Sequence, residues 1–355
     1  MFKMRSFHYC IVFFAVIFIF GSCGNNAEKT PDLSSVKVAL STQRFDKDIY
    51  AIDTNHIAAG LQKLQQKYPD FLNFFLDTMM GLKVYSNFSD TAKGIREGVH
   101  EYLTFPDFVH LQDSIVKYYP DTKDVDAELS KGFQYIKYYL PFIKTPKVYY
   151  VNGSLINTPA SAVDSNISTV CLDMYLGPQF PFYASVGVPS YMGPHLRKSY
   201  IPVAVFRSTY QAVYPFKGEE KTLLDMMIQR GKEQYFLHKI MPTAPDSVLF
   251  GFTGIQIKWC EKNEVELYNF FIQQNLLYNK QESAVVPYIV DGPFARGIGT
   301  ATDPGNPTPG NVGTWMGYRI VSAYMNQNTN ITLKELLTSN IEPAKLLEAA
   351  HYKPR

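Results

Sequence analysis

The sequence predicts an α+β fold that is mostly helical, with a small central mixed sheet. Two observations predict it. Apolar residues recur at helical spacing in both halves of the chain, and two central stretches are rich in β-branched and aromatic residues. Hydrophobic residues make up 46% of the 355 residues and charged residues 19%, so the chain can bury a sizeable core. The order of helices, then strands, then helices is typical of α+β domains.

The first elements follow from apolar spacing. Residues 44–50 are predicted to be an extended lead-in. Apolar side chains then recur four and three positions apart from residue 57 to 64, which predicts a helix that ends near Pro69. Asp70 is expected to cap a second helix over residues 71–76.

The middle of the chain changes from helical to extended patterns. Residues 90–140 are mostly helical, with breaks at Pro106, Pro120 and Pro141. A strand is predicted over 147–151, ended by the turn signal before Ser154, and a second strand over 169–175. Residues 177–194 are rich in Pro, Gly and aromatics, which indicates an ordered loop.

Helices return after Pro202. They are predicted over residues 219–238, from a cap at Thr253 through Trp259, over 267–277, 310–326, 333–337 and 343–349. A Gly/Pro-rich polar loop is expected over 292–311, and loops of that length are typical of functional or mobile segments. Gly313 and Gly317 share the stripe of the helix that follows the loop, which predicts close backbone packing there.

The amino terminus decides the compartment. Lys3 and Arg5 precede an apolar run over 9–20, and small residues lead to Cys23. The run is shorter than the roughly 20 residues that span a bilayer, so residues 1–22 are predicted to be a secretory signal peptide. The small residues before Cys23 are typical of a bacterial lipobox, which predicts acyl chains such as palmitate on that thiol. Ordinary cleavage beside an incidental cysteine is the alternative.

Four segments are predicted. Residues 1–22 are the signal peptide and 23–40 the lipidated amino terminus and tether. Residues 41–145 form an amino-terminal helical part and 146–355 an α+β part, and these two are expected to pack as one unit. Two cysteines of the mature chain, Cys171 and Cys260, either pair or remain buried free thiols.

Charge excludes one class of function. The formal net charge is +2, and the signal peptide contains two bases and no acids, so the mature chain is electrically balanced. A phosphate-binding surface needs concentrated basic residues, so a general nucleic-acid binder is excluded.

No catalytic or metal motif is complete. An HExxH zinc helix needs two histidines four positions apart, and after His100-Glu101 the second position is Thr104. No other histidine pair has that spacing, and neither a G-x-S-x-G elbow nor a Walker loop is present. The sequence therefore predicts no metal, no cofactor and no catalytic residue.

Seven segments, distributed over nearly the whole mature chain, resemble the gliding-motility lipoprotein GldB family of Bacteroidetes. They are residues 44–48, 68–69, 223–232, 251–259, 263–264, 293–294 and 313–321. The resemblance implies an envelope lipoprotein tied to gliding motility and its associated secretion apparatus, with no established catalysis.

The same arrangement distantly resembles zincin-like peptidases that have lost their metal ligands. On that pattern Phe206 and Tyr210 occupy the histidine positions, Arg207 the general-base position, and Arg230 the third-ligand position. The resemblance implies a zincin-like scaffold without zinc, because a cation at a ligand position repels the metal and no base remains to activate water.

The favoured function is that of a non-catalytic lipoprotein that supports gliding motility and secretion machinery through protein–protein contacts. Its expected location is the outer membrane, facing the periplasm, with envelope proteins and no nucleic acid as partners. Two alternatives remain: a peptidase-like hydrolase of the envelope, and a surface lipoprotein that binds glycans or nutrients.

Overall fold

The computed structural model describes residues 31–84, 88, 93–216, 221–298 and 308–355. Within it, Leu33–Arg355 forms one compact unit. The predicted signal peptide and Cys23 lie outside the described residues, and the boundary at residues 145 and 146 stays a prediction.

A four-stranded mixed sheet lies in the middle of this unit, as expected. Its strands are β1 (Ser41–Arg44), β2 (Lys147–Val151), β3 (Ala160–Ala162) and β4 (Ile167–Cys171), in the spatial order β1-β2-β4-β3. Strands β1, β2 and β4 are parallel, whereas β3 pairs antiparallel to β4 at the edge. Strand β2 is buried over four of its five residues, so it has the continuous apolar sequence of an internal strand.

The predicted strand over 147–151 is confirmed, but the one over 169–175 is wrong in extent. Strand β4 starts earlier, at Ile167, and the chain turns into a 3₁₀ helix over Leu172–Tyr175. The buried carboxylate of Asp173 accepts hydrogen bonds from the backbone N–H groups of Gly153 and Leu155, at 2.8 and 2.7 Å. These bonds tie the turn after β4 to the turn after β2.

Helices make up most of the described chain before β2. They are α1 (Phe45–Tyr50), α2 (Ile57–Lys67), α3 (Leu72–Phe74), α4 (Lys93–Thr104), α5 (Pro106–Tyr118) and α6 (Lys123–Tyr139). A π-helical turn over Phe75–Met79 continues α3. The expected helix ending near Pro69 and the proline breaks are confirmed, and Pro106 is the first residue of α5.

Two expectations for this part are wrong. Residues 45–50 are helical rather than extended, because Phe45 and Ile49, one helical turn apart, both enter the core. The carboxylate of Asp70 does not cap α3. It lies 3.1 Å from the Lys147 ammonium, and no side chain caps that helix.

Ten helices follow the sheet in the described residues. They are α7 (Phe182–Ser185), α8 (Ile201–Val213), α9 (Leu223–Ile240), α10 (Asp246–Phe250), α11 (Gly254–Lys262), α12 (Glu264–Gln273), α13 (Glu282–Val285), α14 (Val312–Gln327), α15 (Leu333–Thr338) and α16 (Pro343–Ala349). Three 3₁₀ turns accompany them, over Ser190–Leu196, Lys198–Tyr200 and Val286–Tyr288.

The expected helix signals of this half are largely confirmed. Thr253 caps α11 in a capping box with Gln256. The loop expected over 177–194 contains α7 and a 3₁₀ turn, and part of the loop expected over 292–311 lies outside the described residues.

The packing of α9 against α14 depends on glycine. A Cβ atom added to Gly317 would overlap the carbonyl oxygen of Met227, and one added to Gly231 would overlap the backbone of Gly317. A Cβ atom on Gly313 would lie 2.6 Å from the carbonyl oxygen of Tyr288. The predicted close backbone approach along the glycine stripe is therefore confirmed.

The sheet separates two hydrophobic cores. Alternate residues of β2 point to opposite faces. Val148 and Tyr150 join the larger core, with α6, α8, α9 and α14, whereas Tyr149 and Val151 join a smaller core with α1 to α4. Cys171 and Cys260 are both buried free thiols, so they do not pair.

Candidate functional site

Helix α8 carries three of the four positions of the degenerate metal site. It packs against the edge strand β3 on one side and against α6 and α9 on others. Pro202 stands in its first turn, where the missing N–H leaves no hydrogen bond unmade. The helix thus presents separate faces to the sheet edge and to α9.

Phe206 and Tyr210 are core residues. Phe206 is fully buried, and its ring meets that of Phe133 edge to face at 5.1 Å. Tyr210 packs against Phe236 at 5.2 Å, and burial, with a further contribution from the Glu233 carboxylate, raises the pKa of its hydroxyl far above the ordinary value. Neither residue offers a metal an ionised ligand at neutral pH.

The structure brings the other two positions together on Glu233. The carboxylate oxygen Oε1 of Glu233 lies 2.9 Å from Nε of Arg207. The second oxygen, Oε2, lies 3.1 Å from a terminal nitrogen of Arg230 and accepts a 3.0 Å hydrogen bond from Gln211. Glu233 is 4% exposed. We call these four residues the ion cluster.

The protonated form of the Arg207 guanidinium is stabilised by its neighbours. Burial opposes it, but the Tyr200 hydroxyl and the Glu233 carboxylate outweigh burial and raise the pKa of Arg207 above its ordinary value. A guanidinium nitrogen of Arg207 donates to the Tyr200 hydroxyl. The other terminal nitrogen lies 3.4 and 3.5 Å from the Leu249 carbonyl and the Gln234 amide oxygen.

The residues at these positions do not fit zinc. Zinc sites in proteins use thiolate, imidazole or carboxylate ligands, and here two guanidinium cations already share the one carboxylate. In the part of the chain that the structure describes, no three His, Cys, Asp or Glu side chains are grouped for a metal. Arg207 and Arg230, which the sequence places at degenerate metal-site positions, both lie beside Glu233 in the ion cluster.

Sequence reasoning missed Glu233 and Gln211. One local signal was available, because Arg230 and Glu233 are three positions apart on one helix, a spacing that brings opposite charges together. The ion pair between Arg207 on α8 and Glu233 on α9 has no local sequence signal. The two residues are more than twenty positions apart and meet only in the folded chain.

A cavity of about 200 Å³ lies next to the ion cluster, between α8 and the segment that leads into the edge strand β3. We call it the β3–α8 cleft. Its polar lining includes His195, Arg207, Ser208, Gln211 and Asp291. Its apolar lining consists mainly of Met174, Val188, Met192, Leu196 and Ala204.

His195 is the unusual group of this cleft. Its side chain is 9% exposed, and neither ring nitrogen has a hydrogen-bond partner among the described residues. The ring edge meets Tyr200 at 4.5 Å, and Gly251 makes room for it, since a Cβ atom there would overlap the imidazole. Burial lowers the pKa of His195, with the nearby Asp291 carboxylate acting in the opposite direction.

The incomplete HExxH motif lies elsewhere. His100 is exposed on α4, and its Nδ1 atom lies 3.3 Å from the Thr104 hydroxyl. A solvent-exposed cavity of about 520 Å³ adjoins it, lined also by Asn55 and Arg96. In the described residues these groups form no metal-binding cluster.

A sequence profile of the family described as gliding motility protein GldB matches residues 26–354. No curated protein and no solved structure matches the chain. Among the described helices, none is long and apolar enough to cross a membrane. The match covers nearly the whole chain and confirms the resemblance carried by the segments from 44–48 to 313–321, so the chain belongs to the GldB family of gliding motility lipoproteins.

Proposed function

We propose that this gliding-motility lipoprotein is a non-catalytic component of the cell envelope that supports motility and the associated secretion machinery through contacts with other proteins. Acyl chains on Cys23 are proposed to hold it at the outer membrane, facing the periplasm. Its partners are proposed to be envelope proteins of the motility and secretion apparatus.

The ion cluster carries the non-catalytic part of this proposal. A hydrolase of the zincin type needs a metal and a carboxylate that is free to take a proton from water. Oε2 of Glu233 accepts hydrogen bonds from Arg230 and Gln211, at 3.1 and 3.0 Å, and Oε1 lies 2.9 Å from Nε of the Arg207 guanidinium. A carboxylate with both oxygens beside cations has no free oxygen with which to take a proton from water.

The anchor is tested with two cysteine variants of the full chain. Cys23→Ala is expected to lose incorporation of a palmitate analogue, and without cleavage before residue 23 it should keep its signal peptide. Cys10→Ala changes a cysteine inside the apolar run and is the matched control, which should be acylated normally. Acylation of Cys23→Ala at the wild-type level would contradict the anchor.

The contact role is tested on tagged lipoprotein purified from cross-linked membranes. We expect envelope proteins to co-purify in reproducible proportion, and Cys23→Ala to recover fewer of them and to reduce gliding. The same sample is analysed for zinc and for peptidase activity. Stoichiometric zinc, or a hydrolytic activity abolished by Glu233→Gln, would contradict the non-catalytic role and favour the peptidase-like alternative.

A further inference from the structure

An aromatic and basic surface lies along the carboxyl-terminal half of α6. Tyr138, near the end of the helix, and Phe142, in the turn that follows it, are each 49% exposed. The Tyr138 ring meets that of Tyr139 edge to face at 4.9 Å. We call this surface the α6 face, and it consists of Lys131, Tyr138, Tyr139, Phe142, Lys239 and Lys334.

Lysines from three helices lie over aromatic rings at this face. Nζ of Lys239 on α9 lies 5.5 Å from the ring centroid of Tyr139, and Nζ of Lys334 on α15 lies 5.9 Å from that of Phe142. Within α6, Lys131 lies over another tyrosine ring, at 5.5 Å. A ring attracts an ammonium group without neutralising it, so the α6 face combines positive charge with aromatic surface.

The stretches of sequence that form and adjoin this face contain an excess of basic residues. Residues 129–146 contain three lysines and no Asp or Glu, and residues 33–40 contain one lysine and no acid. Glu128 and Glu335 border the face, and Glu335 caps α15 by accepting a 2.7 Å hydrogen bond from the Thr332 backbone N–H. The local excess of positive charge favours an anionic partner, although the mature chain as a whole is balanced.

The chain enters the folded body beside the same helix. The Gln134 side-chain amide donates a 3.1 Å hydrogen bond to the Val36 carbonyl, and the Lys137 ammonium donates a 2.8 Å hydrogen bond to the Lys37 carbonyl. Residues 33–40 are therefore fixed along α6, next to the exposed ring of Tyr138.

The length of the chain before this point limits how far the body can lie from a lipid anchor. Leu33 is buried in the larger core and is ten residues after Cys23, a distance in sequence that an extended chain spans with at most about 35 Å. Acyl chains on Cys23 would therefore keep the start of the folded body, and α6 beside it, near the bilayer surface.

We propose that the α6 face docks on the anionic phospholipid surface of the bilayer that holds the acyl chains. Its lysines face the headgroups, and the rings of Tyr138 and Phe142 lie in the interfacial layer, where aromatic side chains are enriched. A lipid chain combined with a basic patch anchors a protein more firmly than either does alone. The inference rests on the proposed lipid anchor and adds an orientation of the body on the membrane.

The test uses the full mature lipoprotein, with acylation confirmed by intact mass, in phosphatidylcholine vesicles that contain about one quarter phosphatidylglycerol. A polarity-sensitive fluorophore is attached to Tyr138→Cys, or to Tyr278→Cys as the matched control, because Tyr278 is 65% exposed and lies outside the α6 face. Cys171 and Cys260 are buried, and labelling of the wild type measures their background. We expect brominated phospholipids to quench the fluorophore at position 138 about threefold more than at position 278.

The outcomes separate this inference from the proposed anchor. In fully acylated protein, equal quenching at the two positions, or none at position 138, would overturn the docking and leave the anchor standing. Missing acylation of Cys23 would contradict the anchor, and the docking with it. A fluorophore at position 138 that is shielded only after envelope proteins are added would assign the α6 face to a protein partner and overturn the proposal.

Two pairs of substitutions test the charge. Lys131→Gln together with Lys334→Gln should reduce quenching at position 138 about twofold or more, because each lysine near an anionic surface adds to the attraction. Lys258→Gln together with Lys262→Gln removes the same charge from exposed positions of α11 and should leave the quenching unchanged. Vesicles of phosphatidylcholine alone should lower the wild-type signal in the same way. Unaltered quenching in the first pair would overturn the assignment of these lysines to the headgroups.

Discussion

The α9–α14 contact and the β3–α8 cleft both depend on a glycine, but they use it in opposite ways. At the α9–α14 contact, Gly231 and Gly317 let two helix backbones touch, and no space remains between them. In the cleft, Gly251 makes room for the imidazole of His195, whose nitrogens are left without partners in the described residues. The first glycine pair closes a contact between two backbones, whereas Gly251 accommodates a buried polar ring.

The largest loss of stability is expected when a side chain is introduced where the backbones of α9 and α14 touch. Gly317→Val places a branched side chain where Met227 already lies, so the two helices must separate, and we expect a loss above about 4 kcal/mol or failure to fold. Denaturant unfolding measures it. Gly254→Val on α11 is the control, because a Cβ atom there meets nothing within 4 Å. Equal unfolding midpoints for the two variants would show that the helices tolerate the separation.

The next effect concerns the ion cluster, which joins α8 to α9 and shares Arg207 and Gln211 with the lining of the cleft. Glu233→Gln removes the charge that Arg207 and Arg230 share and leaves two partly buried cations together. We expect a loss of about 3 kcal/mol in the free energy of unfolding. Glu261→Gln, at an exposed position of α11, should change stability by less than about 0.5 kcal/mol. An unaltered stability of Glu233→Gln would mean that Glu233 is not needed to hold α8 against α9.

A smaller effect is expected where the carboxyl terminus joins α14. The Tyr352 hydroxyl donates a 2.6 Å hydrogen bond to Glu264, whose carboxylate also binds Arg319 through two bonds of 3.0 Å. Tyr352→Phe removes one donor from this buried carboxylate, which should cost about 1.5 kcal/mol by chemical denaturation. Tyr278→Phe, at a position 65% exposed, is the matched control. If both variants match the wild type in stability, the hydrogen bond from Tyr352 to Glu264 does not stabilise the fold.

The smallest expected effect is a pH dependence confined to the cleft. Burial lowers the pKa of His195 in the folded chain, with Asp291 opposing and Arg207 assisting. The unfolded chain then binds a proton first, near pH 6.5, so the stability contributed by neutral His195 is present above that pH and declines as the pH falls toward its folded pKa. His195→Gln should flatten the decline in unfolding free energy between about pH 7 and pH 5. The exposed His110→Gln should keep it, and an identical slope in all three proteins would refute the assignment.

Local patterns predict much of the helical framework. The spacing of apolar residues predicts α2 and α9, Pro106 marks the start of α5, and Thr253 marks the cap of α11. These signals succeed because a helix is built from contacts three and four residues apart, all present in a short stretch of sequence. The short edge strand β3 has too few residues to show a pattern, and it forms only because β4 pairs with it.

The candidate site was predictable only in part. Position-by-position resemblance singles out Arg207 and Arg230, but their common partner Glu233 and the placement of His195 beside Asp291 are absent from any local pattern. Nearly one hundred residues separate His195 from Asp291 along the chain. Family membership, the helices and the signal for a lipid anchor are properties of short segments, so the linear sequence is enough to infer them. Which distant side chains come into contact depends on how the helices pack around the sheet, so these contacts are determined only in the folded chain.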